Sequence, residues 1–159
     1  MKKKKNAKGS LKVVKKLVPL AGLAMKNGFC LEASLILSSI MESRLRSVIR
    51  RVEKEMPKPG LNLEKCIRKL KYLRSHNPGP LLERNFDPSI LESLRNWKNR
   101  RNAILNTLTK SHVSGKRVEK LADEGVFLLQ DLSRSCKKFK SEWKNSHQPV
   151  PGNASRNDS

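Results

Sequence analysis

Few side chains in this chain could carry covalent chemistry. Cys30, Cys66 and Cys136 are odd in number and far apart, which gives neither a disulfide framework nor a zinc-binding spacing. His76, His112 and His147 also stand alone. No Gly-rich phosphate loop and no Gly-x-Ser-x-Gly elbow occurs. The expectation is a reducing interior with no metal and no cofactor. One segment departs from ordinary patterning. Leu94, Trp97, Ile104 and Leu108 recur at the spacing of an apolar helix face, and the missing place on that face is Arg101. Asn99, Asn102 and Asn106 follow on an adjacent face at steps of three and four. Asparagine is a poor helix former because its side chain competes for backbone hydrogen bonds. An arginine on a core stripe also carries a desolvation cost. A local violation of this kind is where a functional or interface site is expected. Two readings fit it. Arg101 belongs to a site, or its long stem carries the charge to water or to an acid such as Glu42 while the asparagines cap or bond a loop.

The elements that must position these residues are helical. Among the 159 residues, the 22 leucines outnumber valine, isoleucine and threonine together, a bias toward helix over strand. A first helix is predicted over about 11–26, with Pro19 kinking it or opening its second half, and Asn27-Gly28 as its stop. The second, about 29–55, is the clearest: Phe29, Ala33, Ile36, Ile40, Met41, Leu45, Val48, Val52 and Met56 recur at helical spacing, with Arg46, Arg50 and Lys54 on another face. Pro57 and Pro59-Gly60 end it. A third is predicted from Leu63 to about Ser75, capped by Asn62, with Leu63, Ile67 and Leu70 as its apolar stripe and Cys66 and Leu73 beside it. After a loop over 76–86, Asp87-Pro88 is an N-cap acid followed by proline, opening a fourth helix to about Leu108. The fifth, about 116–143, carries Val118, Leu121, Leu128, Leu132, Cys136, Phe139 and Trp143. The reading is an all-α bundle of about five helices over residues 17–143, with a basic tail at 1–16 and a disordered tail at 144–159.

The charge sets the class of partner. There are 35 Lys+Arg against 14 Asp+Glu, a net +21. Residues 1–16 hold eight lysines and no acid, so the excess belongs partly to that segment and partly to the body. Such a balance points to an acidic partner, most often nucleic acid or an anionic membrane surface. Lys2, Lys3, Lys4, Lys5, Lys65, Arg68, Lys69, Lys71 and Arg100 are the predicted phosphate contacts. Aromatic residues are only 4% of the chain, so base stacking is not expected to dominate and sequence specificity should be weak. No run of about 18 apolar residues exists, which excludes a membrane-spanning helix. The basic Lys2–Lys5 followed by the apolar stretch Leu17–Met25 imitates a secretory leader, but Pro19 and Gly22 interrupt that stretch. The expectation is a cytoplasmic protein with no membrane partner.

The segment Trp97-Lys98-Asn99-Arg100-Arg101-Asn102-Ala103-Ile104-Leu105-Asn106 resembles the signature region of the HEPN superfamily, small all-α domains common in prokaryotic toxins, abortive-infection proteins and RNA-cutting modules. That motif is an arginine, usually followed by a polar residue, then a histidine four to six residues on. Arg101-Asn102 matches its first half, and Asn106 stands where the histidine would be. Gly28-Phe29, Glu32-Ala33, Leu37, Met41-Glu42 and Leu45 resemble the long second helix of that family. The resemblance implies a homodimer through the motif helix and a composite site holding Arg101, Asn102 and Asn106. Histidine moves a proton near neutral pH and arginine stabilises phosphate charge. Asn106 can only hydrogen-bond. His112 lies about 16 Å further along a straight helix and does not restore the pattern. The resemblance therefore implies RNA or other nucleic-acid binding by a catalytically degenerate domain, in a toxin–antitoxin or phage-defence setting. Two alternatives stay open: a metal-independent RNA endonuclease using Arg101, and a non-enzymatic subunit that holds a cognate partner protein.

Overall fold

The computed structural model describes residues 5–54, 60–76 and 80–147, with side chains from residue 15 onward. The helices in chain order are α1 (Lys5–Lys26), α2 (Cys30–Glu53), α3 (Leu63–His76), α4 (Pro80–Asn85), α5 (Pro88–Leu108) and α6 (Gly115–Ser146). No strand occurs among the described residues.

Local chemistry sets the boundaries. The chain reverses after α1 because Gly28 takes φ +79°, and the Phe29 amide donates back to the Ala24 carbonyl at 2.8 Å. A residue with a Cβ enters that left-handed region at a cost, whereas glycine does so freely. Asn62 caps α3, its Oδ1 accepting from the Lys65 amide at 3.0 Å. Asp87 caps α5, its Oδ1 accepting from the Ser89 amide at 2.7 Å, with Pro88 supplying the first helical position.

Helix α2 is the centre of the bundle. It packs against α1, α3 and α6. Being covered on several sides, it buries a broad face: Ala33, Leu37, Ile40, Met41, Leu45, Val48 and Ile49, together with Ser34 and Ser38. Ser34 meets its need internally, donating to the Leu31 carbonyl. Leu37 faces Gly125, while Arg44 and Arg51 lie near Cys136 and Lys140, so α2 and α6 run parallel. Trp97 of α5 is fully buried at their crossing, and its Nε1 donates to the Leu121 carbonyl at 2.8 Å. The indole reaches that depth because position 125 is glycine. A Cβ there would lie 2.7 Å from the indole and 3.0 Å from Leu37 Cδ1.

Several expectations change. The described residues form six helices rather than about five, because α4 forms inside the stretch predicted as a loop. Its last residue, Asn85, is buried, donating to the Leu81 carbonyl and to Glu142, both at 2.9 Å. The next, Phe86, is fully buried and packs on Phe139 with ring centroids 5.8 Å apart. Helix α1 begins at Lys5 rather than near residue 11 and runs through Pro19, and α6 reaches Ser146. The domain boundaries placed at 16 and 143 therefore fall inside helices. Residues 1–4 and 148–159, and with them most of the predicted disordered tail, lie outside the described residues, as does Met56. Two stripes also shift. Phe29 precedes α2 as its N-cap and is exposed, and Leu37 rather than Ile36 is fully covered. In α6 the buried positions include Ala122, Gly125 and Leu129, with Leu128 only half-buried.

Candidate nucleic-acid interface

The motif helix is fixed to its neighbours before it presents anything to solvent. Glu64 of α3 accepts from Lys98 Nζ at 2.6 Å and from Arg95 Nη2 at 3.0 Å, and Arg68 lies 3.6 Å away. Hydrogen bonds from Lys98 and Arg95 hold the Glu64 carboxyl down at about 2, against the opposing effect of burial. This cluster and the Trp97 anchor set the position of α5 one turn before Arg101.

Arg101 is half-buried, consistent with its place on the apolar stripe. Its guanidinium lies over the Trp97 ring, 5.8 Å from the centroid, and Nη2 donates to Asn102 Oδ1 at 3.0 Å. Its Nε is buried and has no hydrogen-bond partner among the described residues. Burial pulls the guanidinium below its ordinary value, and the nearby Glu42 carboxylate opposes that shift. The pairing with Glu42 weighed from sequence does not form: Glu42 bridges to Arg46 at 3.1 Å, and Arg46 Nε also donates to the Leu61 carbonyl at 2.8 Å. Asn102 and Asn106 are exposed and one turn apart on α5. The arrangement can donate and accept hydrogen bonds and can place one positive charge against an anion. No group in it titrates near neutral pH.

The predicted phosphate contacts are placed unevenly. On α3, Lys69 bridges to Glu53 at 2.5 Å and Lys71 to Glu92 at 2.6 Å, while Arg68 meets Glu64. Arg100 pairs with Glu124 of α6. Lys65 is exposed, and its Nζ lies 3.4 Å from the Gly60 carbonyl. Lys2, Lys3 and Lys4 lie outside the described residues; Lys5 is the first residue of α1. Lys69, Lys71 and Arg100 thus meet carboxylates that join one helix to another, and the structure does not gather the α3 cations with Arg101.

The remaining chemistry-bearing groups are quiet. Burial pushes the Cys66 and Cys136 thiols up to about 11, so neither is a thiolate at neutral pH. His112 is exposed. Among the described residues, no cluster of three His, Cys, Asp or Glu side chains could hold a metal ion, and no helix is long and apolar enough to cross a membrane.

Comparison with protein-family models, curated proteins and solved structures finds no match to this chain.

One group of residues escaped the sequence reading. Arg44 and Arg51 of α2 and Lys137 and Lys140 of α6 lie on facing helices and come close together. Each pair sits at helical spacing along its own helix. Only the parallel packing of α2 on α6, which periodicity does not disclose, brings them into one place.

Proposed function

We propose that this chain is a non-catalytic nucleic-acid-binding domain of HEPN-like organisation, directed at RNA and working as a homodimer through α5. The observation that carries the reading is the chemistry of the motif face. Arg101 is held over Trp97 and tied to Asn102, with Asn106 exposed a turn further on, and none of these can move a proton at neutral pH. Such a face can grip a phosphate or a base edge without cutting. The net charge of +21 supplies the long-range attraction that brings a polyanion to it. The reading also draws on the resemblance in the sequence, whose helix order of long α2, short α3 and the helix of Arg101 is met here with α4 inserted before α5.

Incubation of full-length protein with a labelled heteropolymeric RNA, without added metal, tests this reading on two counts. It predicts a retarded complex and no new RNA ends. New ends that vanish in Arg101→Ala would replace it with the endonuclease reading. Absence of RNA binding, together with tight binding to an acidic polypeptide, would replace it with the protein-partner reading.

A further inference from the structure

Helices α1, α2 and α6 enclose an open groove of about 380 Å³ whose charged lining residues are Arg44, Arg134 and Lys137. Gln130 and Ser133 add neutral polar groups, and no acid lines it. Asp131, just outside the lining, sits 3.1 Å from Arg134 on the same helix. Lys140, almost one turn beyond Lys137, stands close to Arg44, Arg50 and Arg51. The stripe from Arg134 to Lys144 runs about 15 Å along α6, longer than a single phosphate requires. Helix α1 borders the groove at Val18 and carries Lys15 and Lys16 exposed just before it.

We propose that this groove is the principal phosphate-binding site of the protein, with Arg44, Lys137 and Lys140 gripping the backbone of a single RNA strand.

Two independent features point to an anion here. Arg44 has its Nε buried with no hydrogen-bond partner among the described residues, an expensive arrangement that an anionic oxygen would relieve. Like charges from two helices are also packed together with no carboxylate bridging them among the described residues, whereas Arg68, Lys69 and Lys71 of α3 and Arg100 of α5 each meet one. Burial and the fields of Arg44, Arg51 and Arg50 lower the Lys140 ammonium below its ordinary value, against the Cys136 contribution. A bound phosphate reverses that repulsion. The site is open and shallow, a form suited to an extended strand rather than to an enclosed small ligand, and the aromatic groups needed to stack bases are not among its lining residues. This inference rests on the nucleic-acid reading and adds where the strand is held.

The test compares two triple variants of the full chain that remove the same charge: Arg44→Gln/Lys137→Gln/Lys140→Gln in the groove, and Lys116→Gln/Arg117→Gln/Lys120→Gln at the start of α6. Fluorescence anisotropy with a single-stranded heteropolymeric RNA is read across a salt series. The groove triple should weaken binding at least tenfold and flatten the log–log salt slope by about 2, at roughly 0.7 per lost contact. The α6-start triple should keep most of both. Lys137→Arg/Lys140→Arg should bind as the parent does, which separates lost contacts from lost folding. Equal losses in the two glutamine triples would mean that binding follows net charge alone and would overturn the groove. So would loss of binding to phosphatidylserine vesicles in the groove triple with RNA binding intact, which would assign the site to a lipid surface. No RNA binding by the parent protein would overturn the functional reading itself, a different result from either.

Discussion

Neutralising Glu64 should loosen the motif helix in a way that depends on pH. The carboxyl holds Lys98 and Arg95 of α5 against α3, and the side chains of Glu64 and Lys98 are only 21% and 13% exposed. The Glu64 pKa falls from 4.5 to about 2 on folding. At about 1.4 kcal/mol per unit, that shift has a ceiling of roughly 3 kcal/mol. Screening of the more exposed Arg95 and Arg68 partners brings the expected cost of Glu64→Gln to about 1–2 kcal/mol at pH 7. The sign follows from linkage. A carboxylate whose folded pKa is depressed stabilises the fold fully above its unfolded value, here about 4.5, and loses that contribution as pH falls toward 2. Urea denaturation of parent and Glu64→Gln at pH 7 and at pH 3 gives the two differences directly. The gap between the curves should be about 1–2 kcal/mol at pH 7 and less than half of that at pH 3. An equal gap at both pH values would refute the reasoning, since the loss would then come from packing or helix propensity and not from the ionised carboxylate.

Three further outcomes are expected. Gly125→Ala should destabilise the fold, because overpacking Trp97 and Leu37 costs about 1–3 kcal/mol while the helix gains at most about 1 from losing glycine; a thermal midpoint equal to or above the parent's would contradict the close approach at this position. Asn106→His should gain metal-independent RNA cleavage, of the order of 10²–10⁴-fold over parent background if the imidazole is well placed, and adding Arg101→Ala should abolish it; a folded Asn106→His variant with no activity would count against the alignment of α5 with the HEPN motif. Arg101→Leu should shift the assembly state or RNA affinity more than the unfolding midpoint; a parent protein that sediments as a monomer at high concentration, with Arg101→Leu fully functional, would remove α5 as an interface.

The parts of the fold written in local chemistry were legible in the sequence. Asn27-Gly28, Asn62 and Asp87-Pro88 each end or begin a helix through hydrogen bonds within a few residues, and each does so where predicted. The α3 stripe was legible for a similar reason: one face is buried, and Leu63, Cys66, Ile67, Leu70 and Leu73 all lie on it. Helix α4 was not, because six residues opened by a proline give too short a period, and Phe86 owes its burial to Phe139, 53 positions further along the chain. Gly125 is a similar case, since a glycine among leucines reveals nothing until Trp97 is seen resting on it. Arg101 was legible as an anomaly, and the structure shows how its charge is accommodated, over Trp97 and against Asn102. The α3 cations looked like a binding stripe because sequence shows charges and not their partners. Glu53 and Glu92, on α2 and α5, meet Lys69 and Lys71 only in three dimensions.

The most direct test of the account is the salt dependence of RNA binding by the full-length protein, read by anisotropy with the RNA recovered and sized afterwards. Binding by a domain of net charge +21 that grips phosphates should weaken steeply with salt, at a log–log slope of about −0.7 for each phosphate contacted, and the recovered RNA should be intact. A slope near zero, or recovered RNA cut in an Arg101-dependent way, would contradict it.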